Sequence, residues 1–329
     1  MLVSADELLE LATAVLVTAG TPADSAATVA GSLVLSNLMG HDSHGVRRLI
    51  RYVDEVHSGR IDPAARPDAE QVRPGAVVVH GRRAFGQLSA GRAVRELLGM
   101  GVGVAVIREC NHIGRVGEYV AELAEHDLVG MAFCNTTPAV APYGGRERRL
   151  GTNPLAWAAP RARGKPPIVM DWASSVVAEG KLGHARERGE PVAEGLIRDQ
   201  DGRMSTDPND FYAGGMLLPV GDHKGYGLSV LIELVGGLLG GAGVASMPGY
   251  TGDFGTVLIA FAIDAFQPAD EFRVHAEEFY DHLTATRPAE GSDEVLVPGD
   301  PEERSRAERG RTGIPVPDPV WRDLTALRG

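Results

Sequence analysis

The 329 residues carry 32 Lys+Arg against 44 Asp+Glu, a net charge of −12, with 43% hydrophobic and 5% aromatic residues. That composition builds a core and leaves no basic stripe to track a phosphate backbone, which excludes nucleic acid as the expected partner. Two cysteines, Cys110 and Cys134, are too few for a disulfide framework, and the opening Met1-Leu2-Val3-Ser4-Ala5-Asp6-Glu7 lacks a basic n-region, so a cytoplasmic protein is expected.

The first seventy residues read as helices. Ser4 and Glu7 form a capping-box pattern before Leu8, Leu9, Leu11, Val15 and Leu16, with Gly20 as the stop. Thr21-Pro22 reads as a cap followed by proline at the first helical position, opening a helix to about Asn37. A third helix is predicted from near Ser43 to Ser58-Gly59. From Ala76 the texture changes to valine-rich runs at 76–79, 102–107, 129–134, 155–158, 168–170 and 257–263. Helices are predicted between them at 88–100, 116–125, 174–188 and 225–239. This alternation predicts an α/β or α+β sheet covered by helices. The glycine-broken apolar run 228–247 holds Glu233 and reads as a buried helix rather than a membrane span. Helices are expected again at 269–282 and 319–327, with a polar, charged stretch at 289–311 between them. The C-terminal helices are expected to dock on the N-terminal ones.

Glycine makes up 42 of 329 positions, about 13% against an average near 7%. The four glycine pairs two apart are Gly99/Gly101, Gly101/Gly103, Gly225/Gly227 and Gly241/Gly243. None completes G-x-G-x-x-G, and no Walker A loop occurs.

Three polar clusters carry candidate chemistry. In His41-Asp42-Ser43-His44-Gly45-Val46-Arg47-Arg48 and onward to Tyr52, a helix from Ser43 would place His44, Arg48 and Tyr52 on one face. That would join an acid/base, a fork for a carboxylate and a phenol, or form a solvated stripe. The second, Asn111-His112-Ile113-Gly114-Arg115, follows a strand, and polar loops such as Gly151-Thr152-Asn153-Pro154 follow it in order. His112 there is a catalyst or a helix-start hydrogen-bonder. The third, Asp222-His223-Lys224-Gly225, would offer lysine and backbone N–H groups to an anion, or merely cap a helix.

In combination these motifs resemble the type-2 malate/L-lactate dehydrogenase family. The matching stretches run from Gly40-His41-Asp42-Ser43-His44-Gly45-Val46 through Asn111-His112-Ile113-Gly114, Ala141-Pro142-Tyr143-Gly144-Gly145, Gly151-Thr152-Asn153-Pro154-Leu155-Ala156 and Asp171-Trp172-Ala173-Ser174-Ser175. They continue to Lys224-Gly225-Tyr226-Gly227-Leu228 and Val297-Pro298-Gly299. The resemblance implies a helical domain from residues 1–73 joined by helices in 268–329, and a mixed-sheet domain, 74–267, binding NAD or NADP without a Rossmann fold. It implies His44 or His112 as the catalytic acid/base. Ser43, Arg48, Tyr52, Thr152 and Asn153 would contact a small carboxylic acid, with Arg48 anchoring its carboxylate. Asp171, Trp172, Ala173, Ser174, Ser175, Lys224, Gly225, Pro298, Gly299 and Asp300 would contact the cofactor. It also implies a homodimer or larger assembly. Trp172, Ser174 and Leu196 stand where methionine, threonine and tryptophan are usual in the family.

The reaction implied is hydride transfer between nicotinamide and C2 of a 2-hydroxy or 2-keto acid such as malate or lactate. The rivals are reduction of a cyclic imino acid and a metal-dependent hydrolase using His41, His44, His112 and Asp42. No metal is expected for the leading reading.

Overall fold

The computed structural model describes residues 1–328. Strand β1 (Leu2–Val3) leads into helix α1 (Ala5–Thr18), helix α2 (Ala23–Leu38), a 3-10 turn (Asp42–His44) and helix α3 (Arg48–His57). Ser4 caps α1 as its sequence predicts, its Oγ accepting from the Glu7 N–H at 3.2 Å. Thr21 does not cap α2. Pro22 takes the cap position, and the Thr21 hydroxyl is buried without a partner.

Next come β2 (Asp68–Arg73), β3 (Ala76–His80), α4 (Gly86–Leu98), β4 (Val102–Arg108), α5 (Gly117–Glu125), β5 (Leu128–Cys134), β6 (Pro154–Ala159) and β7 (Ile168–Ala173). Helix α6 (Glu179–Arg188), strands β8 (Ile197–Arg198) and β9 (Met204–Ser205), helix α7 (Pro208–Tyr212) and strand β10 (Met216–Leu217) follow. Helix α8 (His223–Ile232) runs into a π-helical stretch (Glu233–Leu239) before β11 (Thr256–Ala262). Helices α9 (Ala269–Thr284) and α10 (Asp300–Thr312), strand β12 (Ile314–Pro315) and helix α11 (Asp318–Leu327) complete the described chain.

The main sheet has the order β2-β3-β4-β11-β5-β6-β7. Only β3 and β4 pair in parallel, joined by the α4 crossover that parallel neighbours require; the other pairings are antiparallel. Helices α4 and α5 cover one face through Val94, Leu97, Val120 and Leu123. On the other face Phe133, Leu155 and Ile232 pack with Trp172 and Leu228. Next to the start of α4, Ile314, Val316, Val320 and Leu324 share a core with Leu8, Leu16, Leu33, Leu49 and Phe85. The terminal ammonium of Met1 donates to the Val316 carbonyl at 2.9 Å.

Three predicted elements outside the 41–58 segment change. The 174–188 helix begins only at Glu179, because Ser174 and Val176 donate their N–H groups to Thr152 and Leu218. The 228–247 segment is not a buried helix: Leu231, Leu234, Leu238 and Leu239 are exposed while Glu233, Gly236 and Gly237 face inward. No helix among the described residues is long and apolar enough to cross a membrane. Helix α10 lies inside the stretch read as merely polar; it has no buried residue, so it shows no apolar period.

Candidate active site

The predicted helix from Ser43 is broken. Asp42–His44 forms a 3-10 turn, Gly45 is extended, and α3 starts at Arg48. Asn37 at the end of α2 dictates the break. Its Oδ1 accepts from the Val46 N–H at 2.8 Å and its Nδ2 donates to Asp42 Oδ1 at 2.7 Å. A Cβ on Gly45 would stand 2.1 Å from Asn37 Oδ1, so only glycine passes there. From the other side Arg309 of α10 donates to both Asp42 carboxylate oxygens, at 2.7 and 3.1 Å. His44 therefore leaves the stripe shared by Arg48 and Tyr52, a correction to the one-face reading. It meets them by stacking: the His44 and His112 ring centroids lie 5.6 Å apart at 18°.

His112 is held at one nitrogen. The Tyr52 hydroxyl lies 2.8 Å from its Nδ1, and the Gly114 N–H approaches the same atom at 3.3 Å. Phe254 packs edge-on against the ring. His44 has a looser hold, through Ser43 Oγ at 3.0 Å from its Nδ1. Burial, assisted by the charges of Arg48, His41 and Arg115, pushes the His44 imidazole down to about 3. Burial, then Arg48, His44 and Arg51, holds His112 well below the usual histidine range. Both rings are neutral at pH 7. Burial raises the Tyr52 phenol, which is protonated. Arg48 donates its Nε to the Ser43 carbonyl at 2.9 Å, leaving its terminal nitrogens without a protein acceptor among the described residues. Ser43 and Arg48 open on a cavity of about 600 Å³, walled across by Glu179, Gly180, His184 and Tyr212.

The remaining predicted residues sort into those that converge and those that do not. Asp171, on the α5 face of β7, accepts from the Gly117 N–H at 2.7 Å, five residues beyond His112. Ser174 donates its N–H to the Thr152 carbonyl at 2.9 Å, and Val220 donates to the Ser174 carbonyl at 2.9 Å, which carries the 220–225 turn alongside Ala173 and Ser175. Pro298 accepts from Val169 of β7 at 3.2 Å, bringing Gly299 and Asp300 to the same edge strand. Trp172 does not join them. Strand alternation sends it to the opposite face from Asp171, into the cluster of Phe133 and Leu155. The N–H groups of Lys224, Gly225 and Tyr226 are spent on Gly221, Val220 and Asp222, so only the exposed Lys224 ammonium remains for an anion.

Thr152 and Asn153 are drawn into a separate network. Asn153, wholly buried, accepts from Thr136 N–H and donates to Ser229 and to Glu233 Oε1 at 2.9 Å. Glu233 also accepts from Asn135 Nδ2 at 3.0 Å, Ala245 N–H at 3.1 Å and Gly151 N–H at 3.3 Å. This one carboxylate ties the π-helical stretch to the 135, 151–153 and 245 segments. In the sequence it stands out only as a charge inside an apolar run. Asn37, Gln87 and Arg309 gave no such signal. Among the described residues no three His, Cys, Asp or Glu side chains come together as a metal site. Asp42 is taken by Arg309, and His41 Nε2 lies 3.5 Å from Glu302.

The sequence model of the malate/L-lactate dehydrogenase family matches residues 3–325. The chain belongs to that family. It is a nicotinamide-dependent oxidoreductase acting on a CH–OH group, which removes the hydrolase alternative. The malate dehydrogenase of Pyrococcus abyssi is 33% identical over 98% of this chain and 92% of its own length. A dehydrogenase structure from Sinorhizobium meliloti superposes with a TM-score of 0.91 at 33% identity, covering 100% of this chain and 98% of that one. The delta1-piperideine-2-carboxylate reductase of Pseudomonas syringae pvar. tomato gives a TM-score of 0.88 at 31% identity, covering 99% of each chain.

Proposed function

We propose that this dehydrogenase transfers a hydride between the nicotinamide of NAD or NADP and C2 of a small 2-hydroxy or 2-keto acid of the malate or lactate kind. The observation that carries this reading is the free end of the Arg48 guanidinium beside two stacked, neutral imidazoles. A guanidinium with unspent donors is a two-pronged carboxylate anchor. Arg48, with Ser43 beside it, holds the substrate acid group. His112 acts as acid/base, because its Nδ1 meets two partners and its ring is packed by Phe254, leaving Nε2 unpaired in a fixed direction. The His44 ring is hydrogen-bonded by Ser43 alone among the described residues. In oxidation His112 takes the hydroxyl proton, and in reduction it returns a proton to the keto oxygen. His44 packs against it and shapes the substrate side. Tyr52 holds His112, while Thr152 and Asn153, expected as substrate contacts, bond to Thr136, Ser229 and Glu233 instead.

The cofactor would be held around strand β7, where the 220–225 turn and Pro298 converge on its edge. Asp171, Ala173, Ser174, Ser175, Lys224, Gly225, Pro298, Gly299 and Asp300 would hold it, and Lys224 has no salt-bridge partner among the described residues to compete with a phosphate. Bound nicotinamide supplies the hydride chemistry. The sheet region 74–267 takes the cofactor without a Rossmann fold, supported by a sheet with a single parallel pairing. The helical domain, expected over 1–73 and 268–329, is supported for residues 1–67 and 300–327 by the shared core and by α10 against the end of α2. Residues 68–73 instead add β2 to the sheet, and α9 is tied to the sheet region through the ion pairs of Arg161 with Glu277 and of Arg273 with Asp127. The exposed Leu231, Leu234 and Leu238 on one helical face favour a homodimer. Two buried, unpaired cysteines suit a reducing cytoplasm.

Fluorescence titration with NADH and NADPH, followed by a panel of 2-keto acids, tests the reading. Cofactor binding and turnover of a keto acid are expected; binding of neither nucleotide overturns it. The likeness to the piperideine-carboxylate reductase makes a cyclic imino acid the second substrate to try. Turnover of that imine without any keto acid would replace the first reading by the second.

A further inference from the structure

Gln87 stands in the first turn of α4, buried beneath the two histidines' neighbour Tyr52. Its Nε2 donates to the Tyr52 hydroxyl at 2.9 Å, and that hydroxyl lies 2.8 Å from His112 Nδ1. Its Oε1 is buried with no hydrogen-bond partner. A buried carbonyl left so needs a reason. The reason lies at the far end of the chain of contacts. The Gly114 N–H approaches His112 Nδ1 at 3.3 Å, and a backbone N–H, unlike a hydroxyl or an amide, cannot reverse its polarity. At that length, on a single lone pair shared with the Tyr52 hydroxyl, this contact biases Nδ1 toward accepting without fixing it alone, and the pair of Tyr52 and Gln87 adds the rest. The Tyr52 hydroxyl, facing an acceptor, gives its single proton there, and its oxygen is left to accept. Only the NH2 side of Gln87 can meet that oxygen. Turning the amide round would set Oε1 against the phenol lone pairs, so the orphaned carbonyl follows from the direction of the whole chain.

We infer that Gln87 is a positioning residue: acting through Tyr52, it keeps the neutral His112 ring protonated on Nε2, so the resting protein presents a proton donor to its ligand. The chemistry recognised is an acceptor oxygen, such as that of a keto group. The same three side chains also hold the opposite arrangement in reserve. If Nδ1 carried the proton, it would donate to Tyr52, and Tyr52 to a turned Gln87 whose orphaned Oε1 would gain a donor; the Gly114 N–H would then face a proton instead of a lone pair. The catalytic meaning rests on the acid/base reading of His112, but the tautomer does not.

Full-length protein labelled with [15N]histidine tests it without substrate. A long-range 1H–15N spectrum, with His112 assigned by the signals that disappear in His112→Asn, is expected to show the proton on Nε2. Gln87→Glu is expected to move it to Nδ1 at a pH where 13C labelling shows the introduced carboxyl ionised, because a carboxylate only accepts. In Gln87→Met, which keeps the side-chain length without a charge, the two tautomers are expected to mix. In a Tyr52→Phe background, Gln and Glu at position 87 are expected to give the same spectrum. Turnover in Gln87→Met should fall about 10- to 100-fold, as for loss of other orienting partners of a histidine, with KM nearly unchanged. A proton on Nδ1 in the wild type, or one unmixed tautomer in wild type and both Gln87 variants, overturns the inference. Full turnover in His112→Ala would instead overturn the acid/base reading and leave the spectra to be judged alone.

Discussion

The two histidine-bearing segments reach the same place by different means. The 41–46 turn is pinned by its backbone, through Asn37, Asp42 and Arg309, while the His44 ring itself is held only by the neighbouring Ser43 hydroxyl. The 111–117 segment does the reverse. Its ring is fixed at Nδ1 by Tyr52 and Gly114 and packed by Phe254, so one nitrogen is committed and the other is not. A hydroxyl can give or take a hydrogen bond, but the Gly114 N–H can only give. The difference teaches that proximity alone does not separate the two rings; the proposed assignment of His112 rests on its committed nitrogen.

His112→Ala should break the comparison most visibly. Turnover is expected to fall by about 10² to 10⁴ while NADH affinity holds, and His44→Ala should cost clearly less. Equal losses in both variants would dissolve the distinction. Arg48→Lys, judged by KM for the keto acid, should weaken binding roughly 10- to 100-fold by removing a forked, charge-assisted contact worth about 1.5–3 kcal/mol. Asn37→Ala tests the backbone pin on the His44 side. It leaves the Val46 N–H buried without an acceptor, and urea unfolding should show a loss of about 1–3 kcal/mol. The last effect, absent at neutral pH, is on acid stability. His44 titrates near 3 when folded and near 6.5 when unfolded, so the unfolded chain binds more protons between those values. The urea midpoint should therefore hold above pH 6.5 and decline as pH falls toward 3. In His44→Asn that decline should be shallower, with the His112 contribution remaining.

The strands were legible because valine-rich runs and helical periods survive burial: 76–79, 102–107 and 155–158 lie within β3, β4 and β6. Edge strand β2 was not, since Asp68, Glu70, Gln71 and Arg73 face solvent with no apolar period to report them. Helix α10 escaped for the same reason. At the site, His44, Arg48, Tyr52 and His112 were legible as residue types, but their arrangement was not. Spacing along one helix predicted a stripe, whereas Asn37, a small polar residue in a helix end, breaks that helix and lets stacking replace it. Gln87 was invisible because a glutamine in a helix carries no periodic signal, and its importance comes only from what lies across from it.

The Arg309 clamp on Asp42 joins residues 267 positions apart. A chain emerging from the ribosome could build α1 to α3 early, but its histidine turn stays half-braced until Arg309 has been made. Synthesis thus sets a clock on the chemistry: nascent chains halted before α10 lack the second brace of that turn, and the site waits on a helix made long after the histidines it steadies.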